Sequence, residues 1–339
     1  MTGPTTEADR NVSAIATRRA VLTAGLAMSV VAAGGCMPHG DRSPLRVAAR
    51  PDVLEAGPIL HAAAMLGSHK VSVSAGGIPN LIEGVVPGAL DRFAGFADVA
   101  AQSETQLLRL SVANPELRIV MTVTEGLYQI VARRSAGISR LDDLKGKRIG
   151  TFIRTSAAFF VNRMLHSIGL NDADVTLVPL RPGEMASALR DGNVDAIAMW
   201  EPESERAHQL IGADAISFSD PRVYRELYNL NTTTQVLADP IRRAKLVAFV
   251  RELVRSCRAS SEQPDKVWPL VARQSGFDPA LVEASWPHHR FPANIPNDIL
   301  NVLIAEEAWI ADQEGRAPRS RAELDRLIDP TILAEAARA

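Results

Sequence analysis

The sequence is poor in most of the residues that announce a chemistry. It holds two cysteines, Cys36 and Cys257, in 339 residues, too few for a disulfide scaffold. Aromatics amount to 5%. That argues against a long stacking platform for sugars or single-stranded bases, although its four Trp suffice to stack on one ligand. No basic run stands out, Arg supplies nearly all the positive charge, and the formal net charge is -2, so nothing points to nucleic acid as a partner. Cys-x-x-Cys, His-Glu-x-x-His, Gly-x-Ser-x-Gly and a Gly-rich phosphate loop are all missing. His288-His289 is the one histidine pair. Adjacent histidines do not share a helix face and no carboxylate stands at ligand spacing, so the pair reads as surface. No metal and no cofactor are expected.

What is present is an ordinary globular composition, 46% apolar and 22% charged. The length fits about two domains. At the amino end, Thr17-Arg18-Arg19-Ala20-Val21-Leu22 resembles a twin-arginine export signal. The apolar stretch that follows, Ala20 to about Gly35, is short and weak for a membrane span. It closes on Ala32-Ala33-Gly34-Gly35-Cys36, which resembles a lipobox with Ala33 where Leu is usual. Either Cys36 is the lipidation site or the signal is simply cleaved. Both readings put the first ~40 residues outside the fold and the protein in the periplasm or on the outer face of the cytoplasmic membrane. If Cys36 is acylated, Cys257 has no partner and reads as a small core residue. Nucleotide cofactors are scarce outside the cytoplasm, which disfavours a kinase or a dehydrogenase.

Beyond the signal, short apolar strands alternate with helices. Leu45–Ala49, Lys70–Ser74, Ala97–Ala100, Leu117–Val123 and Leu127–Ala132 read as strands, with a helix opening near Pro58. A second unit opens at Asp142 with a strand through Phe152. A helix follows, N-capped by Ser156 and with Phe159, Phe160, Met164 and Leu165 on one face. Strands follow at Val175–Val178 and Val194–Met199, with a short helix at Glu184–Asp191 between them. From Pro240 onward the pattern is helical. This is a βαβα arrangement, which predicts mostly parallel sheets covered by helices.

Four segments carry a resemblance. They are Leu141-Asp142-Asp143-Leu144-Lys145-Gly146-Lys147-Arg148-Ile149-Gly150, Thr155-Ser156-Ala157-Ala158, Gly169-Leu170 to Asp174-Val175, and Asp195-Ala196-Ile197-Ala198-Met199-Trp200-Glu201-Pro202. Their order and spacing resemble the periplasmic solute-binding proteins of ABC importers, in the nitrate, sulfonate and taurine (and thiamine-precursor) binding family. The resemblance implies an α/β chain with the type II periplasmic-binding-protein fold: two Rossmann-like lobes, a central ligand cleft and two crossing hinge segments. Residues 41–126 and 231–339 would form lobe one and residues 127–230 lobe two, with crossings near Thr124–Tyr128 and Asn229–Thr234. It also implies a monomeric, extracytoplasmic receptor for a small organic anion or zwitterion, delivering it to a membrane permease and ATPase. The alternatives are a sensory receptor for a signalling partner and, further off, an enzyme on the same fold.

Ligands of open parallel sheets bind beyond the carboxyl ends of the strands. On lobe one this selects Arg50, Gly77, Gln102 and Ser103. On lobe two it selects Arg154, Thr155, Ser156, Trp200 and Glu201. Thr155 and Ser156 open a helix whose free N–H groups favour an anion, Arg154 offers a charge-assisted bond, Trp200 a stacking face, and Glu201 an acceptor for an amine or amidine. Gly77 permits close backbone approach. Tyr128 and Asn231 lie at the crossings and complete the candidate set.

Overall fold

The chain divides into Met1–Gly40 and Asp41–Ala339. The computed structural model describes residues 42–82 and 96–338; the stretch read above as an export signal, and Cys36, lie outside the described residues.

The first sheet starts with β1 (Leu45–Ala48), buried at Leu45, Val47 and Ala48. Helix α1 (Gly57–Leu66) follows, with Pro58 in the first turn, where its missing N–H is not needed. Then come β2 (Val71–Ser74), β3 (Val99–Ser103), α2 (Glu104–Ser111) and β4 (Leu117–Gly126). Only Leu127 and Tyr128 separate β4 from β5 (Gln129–Arg133), where the second sheet begins. That sheet is completed by β6 (Arg148–Thr151), α3 (Ser156–His166), β7 (Thr176–Pro179), α4 (Met185–Arg190), β8 (Ala196–Met199), α5 (Glu203–Ile211) and β9 (Ala215–Phe218). Strand β10 (Glu226–Thr233) returns to the first sheet. The rest of the chain adds α6 (Thr234–Ala238), α7 (Pro240–Glu262), α8 (Trp268–Ser275), α9 (Pro279–Ser285), β11 (His289–Arg290), α10 (Ile299–Gln313), α11 (Arg321–Asp325) and α12 (Thr331–Arg338).

The strand order is β11-β4-β10-β3-β1-β2 in the first sheet and β7-β6-β8-β5-β9 in the second. β1 pairs in parallel with β2 and β3, and β6 with β7 and β8. The remaining ladders are antiparallel. Both sheets are therefore mixed rather than mostly parallel. The cause is the crossing: β10 enters the first sheet from the second and runs against β3 and β4, while β5 enters the second sheet and runs against β8 and β9. The return also begins earlier than Asn229–Thr234. Asn229–Thr233 lies inside β10, which pairs with β4 from Glu226 onward, and Thr234 opens α6, so the crossing precedes Glu226.

Apolar side chains gather in three cores. One packs the first sheet against α1, α7 and α8 through Val47, Ile59, Phe249, Val250 and Val271. A second packs the other face of that sheet against α2 and α10 through Leu107, Leu108, Leu303 and Ile310. The third fills the second sheet's helices through Phe159, Phe160, Met164, Leu189 and Ile197. Cys257 on α7 is fully buried in the first of these. Among the described residues, no helix is long and apolar enough to cross a membrane.

Phe160 is fully buried and meets the Tyr128 ring edge-on at 5.9 Å. Truncation there should leave a cavity that the surrounding side chains fill only in part. Phe160→Ala is expected to cost about 3–5 kcal/mol, measured by denaturant unfolding.

Candidate functional site

Strand ends and one helix start converge on a pocket enclosing about 680 Å³, its solvent-open mouth included. From the first sheet come Arg50, Val53 and Glu55 after β1, Gln102 and Ser103 at the end of β3, Gln106 on α2, and Glu226 and Tyr228 at the start of β10. From the second come Thr155 and Ser156 at the start of α3, Pro182 after β7, and Trp200 after β8. Because β10 runs antiparallel to its neighbours, its amino end lies with their carboxyl ends, and alternate residues of a strand share a face. Glu226 and Tyr228 both therefore reach the pocket.

Of the residues expected from the sequence, Arg50, Gln102, Ser103, Thr155, Ser156 and Trp200 line this pocket. The Trp200 ring packs at 6.0 Å from Tyr128 and 6.4 Å from Phe152, leaving the side chain half-buried. Thr155, not Ser156, is the N-cap of α3. Its backbone is extended, its hydroxyl accepts from Ala157 N at 3.3 Å and donates to Phe152 O at 2.6 Å, whereas Ser156 is already helical. Ser156 shares a 2.9 Å hydrogen bond with the Tyr128 hydroxyl. Tyr128 thus supports the site from behind and stands outside the lining.

Four expectations fall elsewhere. Gly77 makes room rather than contact: a Cβ there would lie 2.5 Å from Gln102 Oε1, which accepts from Ile78 N at 2.9 Å. Arg154 points outward, 69% exposed, with its guanidinium 3.8 Å from Glu314. Its backbone φ of 62° is the left-handed turn that starts α3 on the right heading. Asn231 is fully buried within β10 and its Nδ2 donates to Ala100 O and Asn229 O, so its amide nitrogen is spent inside the sheet. Glu201 is also buried and accepts from Gln129 Nε2 and from Glu205 N, each at 3.0 Å. Burial pushes its carboxyl up to about 7, against the opposing pull of the Glu205 N–H bond and the His289 ring.

The histidine pair is not a surface feature either. His289 is buried, with Nε2 3.7 Å from Glu55 Oε1, and His288 is half-buried beside Glu201. Among the described residues, no group of three or more His, Cys, Asp or Glu is arranged to hold a metal.

Sequence reasoning missed Val53, Glu55, Gln106, Pro182, Glu226 and Tyr228. Glu55 had a legible signal, a lone acid in the apolar run Val53–Ala56. Glu226 carboxyl is raised well above its ordinary range by burial, then by Glu55 and Glu104 nearby, while Tyr128 pulls the other way. The Tyr228 hydroxyl is likewise raised by burial and by Glu55 and Glu226, so it stays protonated.

With the geometry in place, the relatives can be set beside it. The family described as NMT1/THI5 like matches residues 93–267, and the chain belongs to that family. A Haemophilus influenzae protein named for thiamine biosynthesis is 23% identical over 234 residues, covering 66% of this chain and 73% of the relative. An Escherichia coli K12 protein named for binding aliphatic sulfonates is 28% identical over 171 residues, covering 49% of this chain and about half (51%) of its own length. Among solved structures, the periplasmic aliphatic sulphonate binding protein of Escherichia coli superposes with a TM-score of 0.68 at 16% identity, covering 85% of this chain and 92% of that one. The alkanesulfonate-binding protein of Xanthomonas axonopodis pv. citri bound to MOPS gives 0.63 at 20% identity over 85% and 98%. A desulfurization enzyme gives 0.60 at 16% identity over 88% and 99%. At such identities these structures establish the fold: two lobes of the periplasmic-binding-protein type.

The buried carboxyls set a pH dependence. Glu104 and Glu201 are each raised to about 7, chiefly by burial, whereas an unfolded chain releases such protons near its ordinary value of about 4.3. Between those values the folded state binds more protons, so their contribution is complete at low pH and is lost as pH rises to about 7. His61 and His288, made less basic by burial, run the other way. The melting temperature of the ligand-free protein is expected to fall from pH 5 to pH 7.5. Glu201→Gln should shrink that slope, by up to about 1.4 kcal/mol per pH unit, in differential scanning fluorimetry across the range.

Proposed function

We propose that the protein is the extracytoplasmic substrate-binding component of an ABC importer. Its ligand is a small organic anion or zwitterion of the aliphatic-sulfonate, taurine or nitrate-like kind, passed to a membrane permease and ATPase. The carrying observation is the pocket itself: polar side chains from the strand ends of both sheets face one cavity of about 680 Å³, with Trp200 on its wall. The names of the sulfonate-binding relatives agree with it. The start of α3 supplies the acidic end of the ligand with a helix N-terminus, and Trp200 supplies a flat apolar face. Because the pocket is shared between two sheets joined by short crossings, ligand binding is coupled to hinge closure. Export through the amino-terminal signal, with or without acylation at Cys36, places the receptor where such a ligand arrives.

A thermal-shift screen of the purified protein against sulfonates, taurine, carboxylates and nitrate tests this directly. A ligand at 100 times its dissociation constant should add about 2.7 kcal/mol of stability. Trp200→Ala and Ser156→Ala should each weaken the hit about tenfold or more in calorimetry. Silence across the whole panel would remove the receptor reading for these ligand classes.

A further inference from the structure

The charges on the pocket wall are not those of a plain anion site. Its charged lining residues are Arg50, Glu55 and Glu226. Glu55 and Glu226 are only 2% and 4% exposed. Both oxygens of Glu55, Oε2 of Glu226 and the Tyr228 hydroxyl have no hydrogen-bond partner among the described residues. Neither cation at hand gives them a hydrogen bond, and the one ion pair among the described residues, from His289 to Glu55, is long. Arg50 is engaged by both oxygens of Asp52, its Nε donating at 2.9 Å. His289 Nε2 stops 3.7 Å from Glu55 Oε1, beyond hydrogen-bond length. A buried carboxylate without a partner is costly, and these two sit where a ligand would reach them.

We infer that one end of the pocket is a cation site, in which Glu226, Glu55 and the Tyr228 hydroxyl receive a protonated amine or amidine carried by the ligand. This rests on the receptor reading and narrows it: the ligand bears a positive group, and simple sulfonates, carboxylates and nitrate are rejected. An ammonium supplies donors for the orphaned oxygens, which neither Arg50 nor the long His289–Glu55 pair provides. The rest of the lining suits the remainder of such a ligand. Val53 and Trp200 are apolar, and an indole face tolerates a cation nearby. The start of α3 remains for an acidic group if the ligand has one, which makes a zwitterion the best complement to the whole pocket.

Matched probes separate the charges. Isothermal calorimetry with the full chain compares taurine with ethanesulfonate, β-alanine with propanoate, and benzamidine with benzoate. The nitrogen-bearing member of at least one pair is expected to bind at least tenfold tighter than its partner. Glu226→Gln should weaken that probe at least tenfold while the melting temperature of the ligand-free protein stays equal or rises, since the variant replaces a buried acid whose Oε2 has no partner with a neutral amide of the same shape. Glu55→Gln is measured alongside, so that a folding defect in one variant leaves the other to decide. An anion that binds as tightly as its nitrogen-bearing counterpart, or Glu226→Gln and Glu55→Gln variants that keep their affinity, would overturn the cation site and leave the receptor reading standing. Binding of no probe at all would overturn both.

Discussion

The carboxylate of Glu104 holds the returning chain in place. Glu104 is the first residue of α2, fully buried, and accepts from Leu227 N and from the Tyr224 hydroxyl, each at 2.9 Å. The first bond fixes the start of β10 against the first sheet. The second reaches into the aromatic cluster of the third core, where Tyr224 packs on Phe159, Phe160 and Tyr128. Burying a carboxyl is unfavourable unless it is bonded, and here two donors meet it where the chain passes between sheets. The consequence reaches the pocket at once. With Leu227 fixed, its strand neighbours Glu226 and Tyr228 are turned to the opposite side, into the cavity.

Much of this architecture was legible in the sequence. β1, α1, β2 and the helices after Pro240 announce themselves through apolar period and proline placement, and Phe159, Phe160, Met164 and Leu165 share the buried face of α3 as their spacing required. β10 was not legible, for a physical reason. It is buried along its whole length, yet Glu226, Asn229, Asn231, Thr232 and Thr233 are polar, so neither an apolar run nor an alternation marks it. Several of its polar groups are paired inside the sheet instead: Thr122 Oγ1 donates to Asn229 Oδ1 at 2.7 Å, and Thr232 Oγ1 to Asp98 O at 2.8 Å. Such pairings join residues more than a hundred positions apart, and no local pattern encodes them. Asn231 looked like a ligand contact because its partners could not be seen.

The site divides in the same way. Residues at the ends of apolar strands, Gln102, Ser103 and Trp200, could be named from position alone. Glu226 could not, because its meaning depends on what stands opposite, and Glu55 stood out only as a lone acid in an apolar run. Glu104 and Glu226 are both buried acids near the start of β10. One has its donors within the protein and the other lacks one for Oε2. Only the three-dimensional neighbourhood separates a structural carboxyl from one that awaits a ligand.

A shared fold with a desulfurization enzyme makes it necessary to ask what the pocket can do chemically, since fold does not decide function. Nucleophilic catalysis needs a nucleophile within reach of a base. Ser156 is the hydroxyl best placed on the wall, but its partner is Tyr128, whose phenol is raised well above its ordinary value by burial and then by Glu226 and Glu55, and so takes no proton from it. Cys257, the one cysteine among the described residues, lies in the core with its thiol raised far from ionisation by burial. The polar groups that face the cavity are Arg50, the amides of Gln102 and Gln106, the acids Glu55 and Glu226, and hydroxyls. That assembly can orient, neutralise and desolvate a charged small molecule, and His289 faces Glu55 from within the protein and stacks on Phe291 rather than standing beside a pocket hydroxyl.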